Sequence, residues 1–139
     1  MAGVESARAF AWAEQVLAAD TTFMAACPGG IHLGVAPQGN TAVVCTLWMP
    51  SEVDYVSFKQ SRIWADGTLM VKITGPMPIT NIVAAADRAD VLLNGQSGAA
   101  QGKSILASTR ISGFVIPEKG LVNGVQWVSI VQSFRTLVQ

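Results

Sequence analysis

The chain has 139 residues, the usual length of a single domain, and can bury an ordinary core without a metal or a disulfide. Nine acidic and nine basic residues cancel, and no run of Lys or Arg occurs, which argues against a domain that grips duplex DNA through its phosphates. The longest uncharged stretch, Thr21 to Ser51, is interrupted by proline and glycine and cannot form a membrane-spanning helix. We therefore predict one domain over residues 1–139 and no membrane contact.

The surface is expected to be short of charge. Hydrophobic residues make up 50% of the sequence and charged residues only 13%, whereas globular chains carry about 25% charged residues. One interpretation is a well-buried small domain whose surface is Ser, Thr, Asn and Gln. We favour the other, in which neighbouring subunits cover part of the surface, because large apolar patches are rare on soluble monomers.

The first part of the chain reads as two helices followed by strands. Apolar residues at helical spacing predict a helix over Glu5–Ala19, and Asp20 is placed to cap a short helix over Thr21–Ala26. Ile31–Val35 is predicted as a short strand, and Ala42–Met49 is the most strand-like apolar run.

The middle of the chain is expected to contain a hairpin and a second long helix. Val53–Phe58 reads as an exposed strand or an ordered loop. Asp66-Gly67 is a hairpin signal before a strand over Thr68–Thr74. Thr80 is placed to cap a helix that ends near Asn94, with a glycine after it. The expected buried stripe of this helix is Ile82, Ala86, Ala89 and Leu93.

The last part is predicted to be a flexible loop over Gln96–Lys103 and two strands, Ser104–Ile116 and Val125–Val138. Turns are expected at Pro117–Gly120 and at Asn123-Gly124. The inward face of the final strand is predicted to be Val128, Ile130, Phe134 and Val138.

Helices and strands therefore segregate along the chain rather than alternate. This order predicts an α+β fold, with an antiparallel or mixed β-sheet and two main α-helices packed on one face. The opposite face is expected to be apolar and open, so that it needs a partner.

Patterns that suggest chemistry are weak. Gly102-Lys103-Ser104 has the wrong spacing for a phosphate loop and leads into a strand rather than a helix. Cys27 and His32 form a candidate nucleophile and base, but no third orienting group is evident. Adding Cys45 still leaves a zinc site one ligand short. We predict no enzyme activity, no cofactor and no metal.

Two acidic residues and two tryptophans have a structural interpretation. Asp87 and Asp90 lie one turn apart and are interpreted as a solvated helix face. Trp12 and Trp48 fit core positions.

Aromatic and basic residues between the two middle strands suggest an interface, because hot spots are rich in aromatics and Arg. A loop folded over the sheet by its own aromatic residues would explain the same composition. The candidate subunit or partner contacts are Tyr55, Phe58, Lys59, Arg62, Trp64, Lys103 and Trp127.

The order of motifs resembles a known family. Val16 to Asp20, a short turn, the Gly-rich strand from Gly30 and the Pro37-Gln38-Gly39 loop precede the apolar strand Ala42 to Trp48. This is similar to the tail-terminator or tail-completion proteins of siphophages. The later order of strand, helix and two strands fits the same family over nearly the whole chain.

The resemblance implies a structural virion protein in the tail or neck, assembled in the host cytoplasm. It implies a homo-hexameric ring at the head-proximal end of the tail tube, which stops tube polymerisation and joins tail to head. The implied partners are the tail tube protein, a head-completion or connector protein, and double-stranded DNA passing through the lumen without sequence-specific contact. The alternatives are another connector or tube ring protein, or a monomeric small-ligand-binding domain.

Overall fold

A computed structural model describes residues 2–35, 42–56, 62–100, 103–122 and 124–138 of the chain. Three helices and six strands follow one another along these residues: α1 (Ala2–Ala18), α2 (Thr21–Ala26), β1 (Ile31–Leu33), β2 (Val44–Val56), β3 (Arg62–Pro76), α3 (Thr80–Leu93), β4 (Gln96–Ala100), β5 (Lys103–Val122) and β6 (Val125–Val138).

The six strands form a single mixed sheet in the order β1-β2-β3-β6-β5-β4. Only β1 and β2 run parallel, and every other neighbouring pair is antiparallel. The predicted α+β class with a mixed sheet is confirmed. The last strand, β6, is central and lies between β3 and β5, so its side chains have neighbours on both sides.

The helices cover one face of this sheet and enclose the hydrophobic core. Side chains at alternate positions of the central strands point towards them, as strand geometry requires. The predicted inward face of β6 is confirmed, with Val128, Phe134 and Val138 buried in the core and Ile130 packed against it. The predicted stripe of α3 is confirmed as well, and Ala85 is also buried. Trp12 lies in the core as expected.

The ends of α2 and α3 show which capping signals operate. Asp20 caps α2 as predicted, because its carboxylate accepts a hydrogen bond from the Phe23 backbone N–H at 2.7 Å. Thr80 does not cap α3: it is the first helical residue, and Ile79 precedes it without a side-chain capping bond. Gly95 follows the helix with a φ of 72°, the left-handed conformation for which glycine is favoured.

The Asp20 carboxylate also joins α2 to α3. Arg88 donates from Nε to Oδ1 at 3.1 Å and from Nη2 to Oδ2 at 2.6 Å, a two-pronged contact that suits a planar guanidinium. This hydrogen bond from Arg88, followed by that from the Phe23 N–H, holds the pKa of Asp20 below its ordinary value of 3.8. One carboxylate thus links a helix cap to the neighbouring helix.

We expect Asp20 to contribute to the loss of stability in acid. Its lowered pKa means that the charged form stabilises the fold fully above about pH 4, and that this contribution is lost as the pH falls through the folded-state pKa. Asp20→Asn keeps a capping side chain but removes the charge, so its urea midpoint should fall less steeply below about pH 4 than that of the wild type. Asp87→Asn, at an exposed position on α3, is the control and should retain the wild-type slope. Equal slopes for all three proteins would contradict this role.

Two predicted breaks in the middle of the chain are absent. Asp66-Gly67 does not form a hairpin: both residues lie inside β3, where Gly67 pairs with Glu52 of β2 and Thr136 of β6. Strand neighbours on both sides override the local turn preference. The strands predicted to end at Met49 and to begin at Val53 are one strand, β2, with a register shift between Trp48 and Ser51. The shift coincides with Pro50, which lacks a backbone donor.

The region predicted as a flexible loop contains a strand. Residues 96–100 form β4, which pairs antiparallel with the beginning of β5. The turn predicted at Pro117–Gly120 is also absent as a chain reversal, because β5 continues to Val122 with a register shift between Pro117 and Leu121. The reversal lies at Gly124, whose φ is 76°.

The sheet face opposite the helices is less open than predicted. At its centre Val44, Ser129, Val131 and Ser133 are buried. Trp48 belongs to this face through its pairing with Met70, and it is half-buried there rather than in the main core. Exposed apolar residues are instead concentrated towards one edge of the sheet.

Candidate interaction surface

Large exposed apolar side chains are grouped at three places in the described part of the chain. Leu33 and Val35 lie at the β1 edge, and Val91 lies on the outer side of α3. The remaining group follows the β5–β6 hairpin and consists of Met77, Ile111, Phe114, Val115, Ile116 and Val125. The hairpin therefore carries most of the exposed apolar surface that the structure describes.

The backbone of β5 is unpaired along the same segment. β4 pairs with β5 only from Lys103 to Ser108, and the Arg110 N–H donates to Asn94 Oδ1 at 2.8 Å. No described strand lies outside residues 111–117; Ile111 falls in a register shift, and residues 112–117 pair only with β6. We call residues 111–117 the free β5 edge.

The free β5 edge is apolar on both faces of the sheet. Phe114 and Ile116 pair with Val131 and Ser129, so they point away from the helices, whereas Val115 pairs with Ile130 on the helical side. The helices do not cover Val115, which is 52% exposed. Soluble proteins normally protect an edge strand with charge or a covering element, and residues 111–117 contain no charged side chain.

Ion pairs hold the free β5 edge at both ends. At one end Arg110 Nη1 lies 3.5 Å from Asp90 Oδ2 on α3. At the other, Glu118 Oε1 lies 2.8 Å from Lys72 Nζ on β3 and also accepts a hydrogen bond from the Ser129 hydroxyl. Asp90, expected on a solvated helix face, therefore anchors a strand.

The Glu118 carboxylate is held in its charged form. Partial burial acts to raise its pKa, but the hydrogen bonds from Lys72 and Ser129 outweigh burial and the pKa is lowered. Gln126 Nε2 also donates to the Glu118 carbonyl oxygen at 2.5 Å. These contacts fix β5 at the register shift that follows Pro117, so the apolar segment is held at this end.

The backbone brings several of the sequence-predicted interface residues together. Tyr55 and Trp64 are directly opposite each other in the β2–β3 pair, and Arg62 pairs with Val56 beside them. Lys103 is at the start of β5, opposite Ala100. Phe58 and Lys59 lie outside the described residues.

Trp127 has a different position. It is only 7% exposed and pairs with Pro76 on the sheet face opposite the helices. In the single chain its side chain is thus part of the subunit interior.

The free β5 edge was not predicted from the sequence, although an uncharged run of residues marks its position. Residues 111–117 read Ile-Ser-Gly-Phe-Val-Ile-Pro, an uncharged run between Arg110 and Glu118. The same run suits a buried strand equally well, because apolar composition does not say which strand lies at an edge.

The candidate catalytic residues occupy structural positions. His32 Nε2 lies 2.9 Å from the Gly29 carbonyl oxygen, which is the satisfied strand histidine expected from its neighbours. Cys27 and Cys45 are buried free thiols. Burial raises the pKa of Cys27 to about 11 and that of Cys45 well above its ordinary range, and a protonated thiol is a poor nucleophile.

The glycine before the Gly-Lys-Ser sequence has a packing role. Gly98 lies in β4, and a Cβ atom there would be 2.5 Å from Nε1 of the buried Trp12 indole. β5 rather than a helix follows the 101–102 connection, so the helix N-terminus that a phosphate loop requires is missing from this part of the described chain.

The described residues offer neither a metal-binding cluster nor a membrane-spanning helix. Among their side chains, no group of three or more His, Cys, Asp or Glu is arranged to hold a metal ion. None of the described helices has the length and apolar character needed to cross a membrane.

The fold of this chain is also found in a solved structure of a virion. No protein-family model and no curated protein sequence matches this chain. A chain in a structure described as the virion of a native gene transfer agent particle superposes with a TM-score of 0.64 at 19% sequence identity. The match covers 91% of this chain and 90% of that one. At this identity the likeness establishes a shared fold over nearly the whole length of both chains.

Proposed function

We propose that this chain is a structural protein of a phage-like virion that forms a ring at the head-proximal end of the tail tube. The ring ends tube polymerisation and joins the tail to the head. The observation that carries the proposal is the free β5 edge, an uncharged strand exposed on a fold that is also found in a gene transfer agent virion. Such an edge is a template for pairing with another chain.

A ring accounts for the composition as well as the edge. Head-to-tail contacts between identical subunits close into a ring when the rotation between neighbours is right. The centres of obligate interfaces are depleted of charge, which is consistent with a chain that has only 13% charged residues. We propose six subunits, in contact with the tail tube protein on one side and a head-completion or connector protein on the other. Double-stranded DNA passes through the lumen without base-specific contacts.

The end of the β2–β3 hairpin is proposed as a second contact region, towards the ring's partners. Tyr55 and Trp64 are cross-strand neighbours there, and Arg62 is beside them. We propose that these residues, with Phe58, Lys59 and Lys103, contact a neighbouring subunit or the tube.

Electron microscopy of tail tubes from the phage or gene transfer agent that encodes the chain tests this function. Adding the purified chain to growing tubes should give shorter tubes, each with an extra ring at one end. Trp64→Ala should weaken this capping while the circular dichroism of the isolated protein stays unchanged. Binding to the portal side of heads but not to tubes would favour a connector, and indifference to both would reject the proposal.

A further inference from the structure

We propose that the free β5 edge of one copy pairs with the β1–β2 edge of the next copy, so that the sheet continues from subunit to subunit around the ring. This inference rests on the proposed ring and specifies which surfaces form it. The occupant of the free β5 edge is a second copy of this chain.

The two ends of the sheet offer different but compatible surfaces. β5 is next to last at one end, and its residues 111–117 extend beyond the short β4, whereas β1 is the last strand at the other end. β1 has only three residues and covers β2 only from Cys45 to Leu47. Among the described strands, nothing lies outside β1 or outside β2 beyond Leu47.

Exposed apolar residues lie at both of these edges. Ile111, Phe114, Val115 and Ile116 are between 40% and 57% exposed along the free β5 edge. At the opposite edge Leu33 is 54% exposed and Val35 is 82% exposed. Exposed apolar groups at both edges of a single sheet match what a head-to-tail contact between copies requires.

Charge supports a copy of this chain over a nucleic acid. A nucleic-acid partner would need cationic side chains to replace its counterions, but residues 111–117 have none and the flanking Arg110 is paired with Asp90. Residues 31–35 contain no Asp, Glu, Lys or Arg. Residues 111–117 and 31–35 can therefore meet without like charges or unpaired carboxylates, and backbone hydrogen bonds add to the apolar contact.

The geometry of β5 sets the limits of the pairing. A register shift separates Arg110 from Ser112, and Pro117 has no N–H to donate. The residues available for regular pairing are therefore 112–116, about as many as an average strand contains. The contacts of Glu118 with Lys72 and Ser129 hold one end of this segment in place before a partner arrives, which lowers the entropic cost of binding.

Two edge variants and their mixture test the inference. The β5 variant carries Phe114→Lys and Ile116→Lys, and the β1 variant carries Leu33→Lys and Val35→Lys. The control is Val91→Lys, because Val91 is 60% exposed, within the range of the edge positions, but lies on α3 away from both edges. Circular dichroism verifies that each variant is folded, and native mass spectrometry and electron microscopy measure assembly with and without tail tubes.

The expected result is specific to a head-to-tail contact. Each edge variant alone should give a yield of rings at least tenfold below that of the wild type. The control should assemble normally. Mixing the two edge variants should give a 1:1 heterodimer, because each variant supplies the edge that the other has lost. Assembly of the β1 variant alone into dimers would show β5-to-β5 pairing and overturn the inference.

The remaining outcomes separate this inference from the proposed function. If the β5 variant still forms normal rings that cap tubes, the edge assignment is wrong and the function stands. If wild-type rings form through these edges but never bind tubes, the assignment stands and the function is wrong. A wild-type chain that remains monomeric with and without tubes would overturn both.

Discussion

Phe134→Ala is expected to lower the free energy of unfolding by about 3–5 kcal/mol. Phe134 is completely buried on the central strand β6, where it faces the helices and is paired with Leu69. Removing its ring leaves a cavity beneath α1 and α3 that a sheet held on both sides cannot close. Since a domain of this size is stable by only about 5–15 kcal/mol, urea denaturation should show a large fall in the midpoint.

Phe114→Ala is the matched control, because the same atoms are removed from the free β5 edge. Phe114 is 46% exposed, so its loss should cost about 1 kcal/mol or less. The two variants should also differ in assembly. For the proposed ring, Phe134→Ala should reduce assembly only by lowering the folded fraction, whereas Phe114→Ala should reduce assembly while the monomer remains folded. If urea denaturation gave the two variants equal losses in the free energy of unfolding, the phenyl group of Phe134 would not be central to the core.

Gly98→Ala is expected to destabilise the protein by about 1–3 kcal/mol. The new methyl group would lie 2.5 Å from Nε1 and 3.1 Å from Cδ1 of Trp12. Trp12 is only 3% exposed and belongs to the buried core, so its ring cannot swing into solvent. Either β4 must move away from α1 or the indole must leave its position, and the near-ultraviolet circular dichroism of the tryptophans should report the change.

Gly113→Ala is the control for an added methyl group in a strand. Its Cβ would meet the Arg110 guanidinium, the far end of a flexible side chain that is 40% exposed. That group can rotate into solvent, so the urea midpoint should change little. A destabilisation as large as that of Gly98→Ala would mean that the Arg110–Asp90 pair, rather than the Trp12 contact, limits substitution along these strands.

Several elements follow directly from local sequence. Asp20 has a short polar side chain at the start of an apolar turn, and it caps α2 at the predicted residue. The alternation of β6 and the Ile82 to Leu93 stripe of α3 follow from side-chain period, and both were assigned to the correct face. These features need only neighbours a few residues away in the chain, which is why the sequence reveals them.

Other elements depend on partners that are distant in sequence. Residues 96–100 lack an apolar pattern, and they form β4 only because the start of β5 offers backbone partners. Asp66-Gly67 has a strong turn preference, but pairing with β2 and β6 keeps it extended. In both cases hydrogen bonds between strands outweigh the local preference.

The sequence by itself determined an α+β domain with a charge-poor exterior, because composition and periodicity are properties of the chain. It also predicted that part of this exterior must be covered. Only the tertiary structure decided where the exposed apolar residues lie, since the run from Ile111 to Pro117 is equally compatible with a core strand and an exposed one. The short β4 leaves that run at the edge of the sheet, and strand order is set by contacts between distant segments that no local pattern encodes.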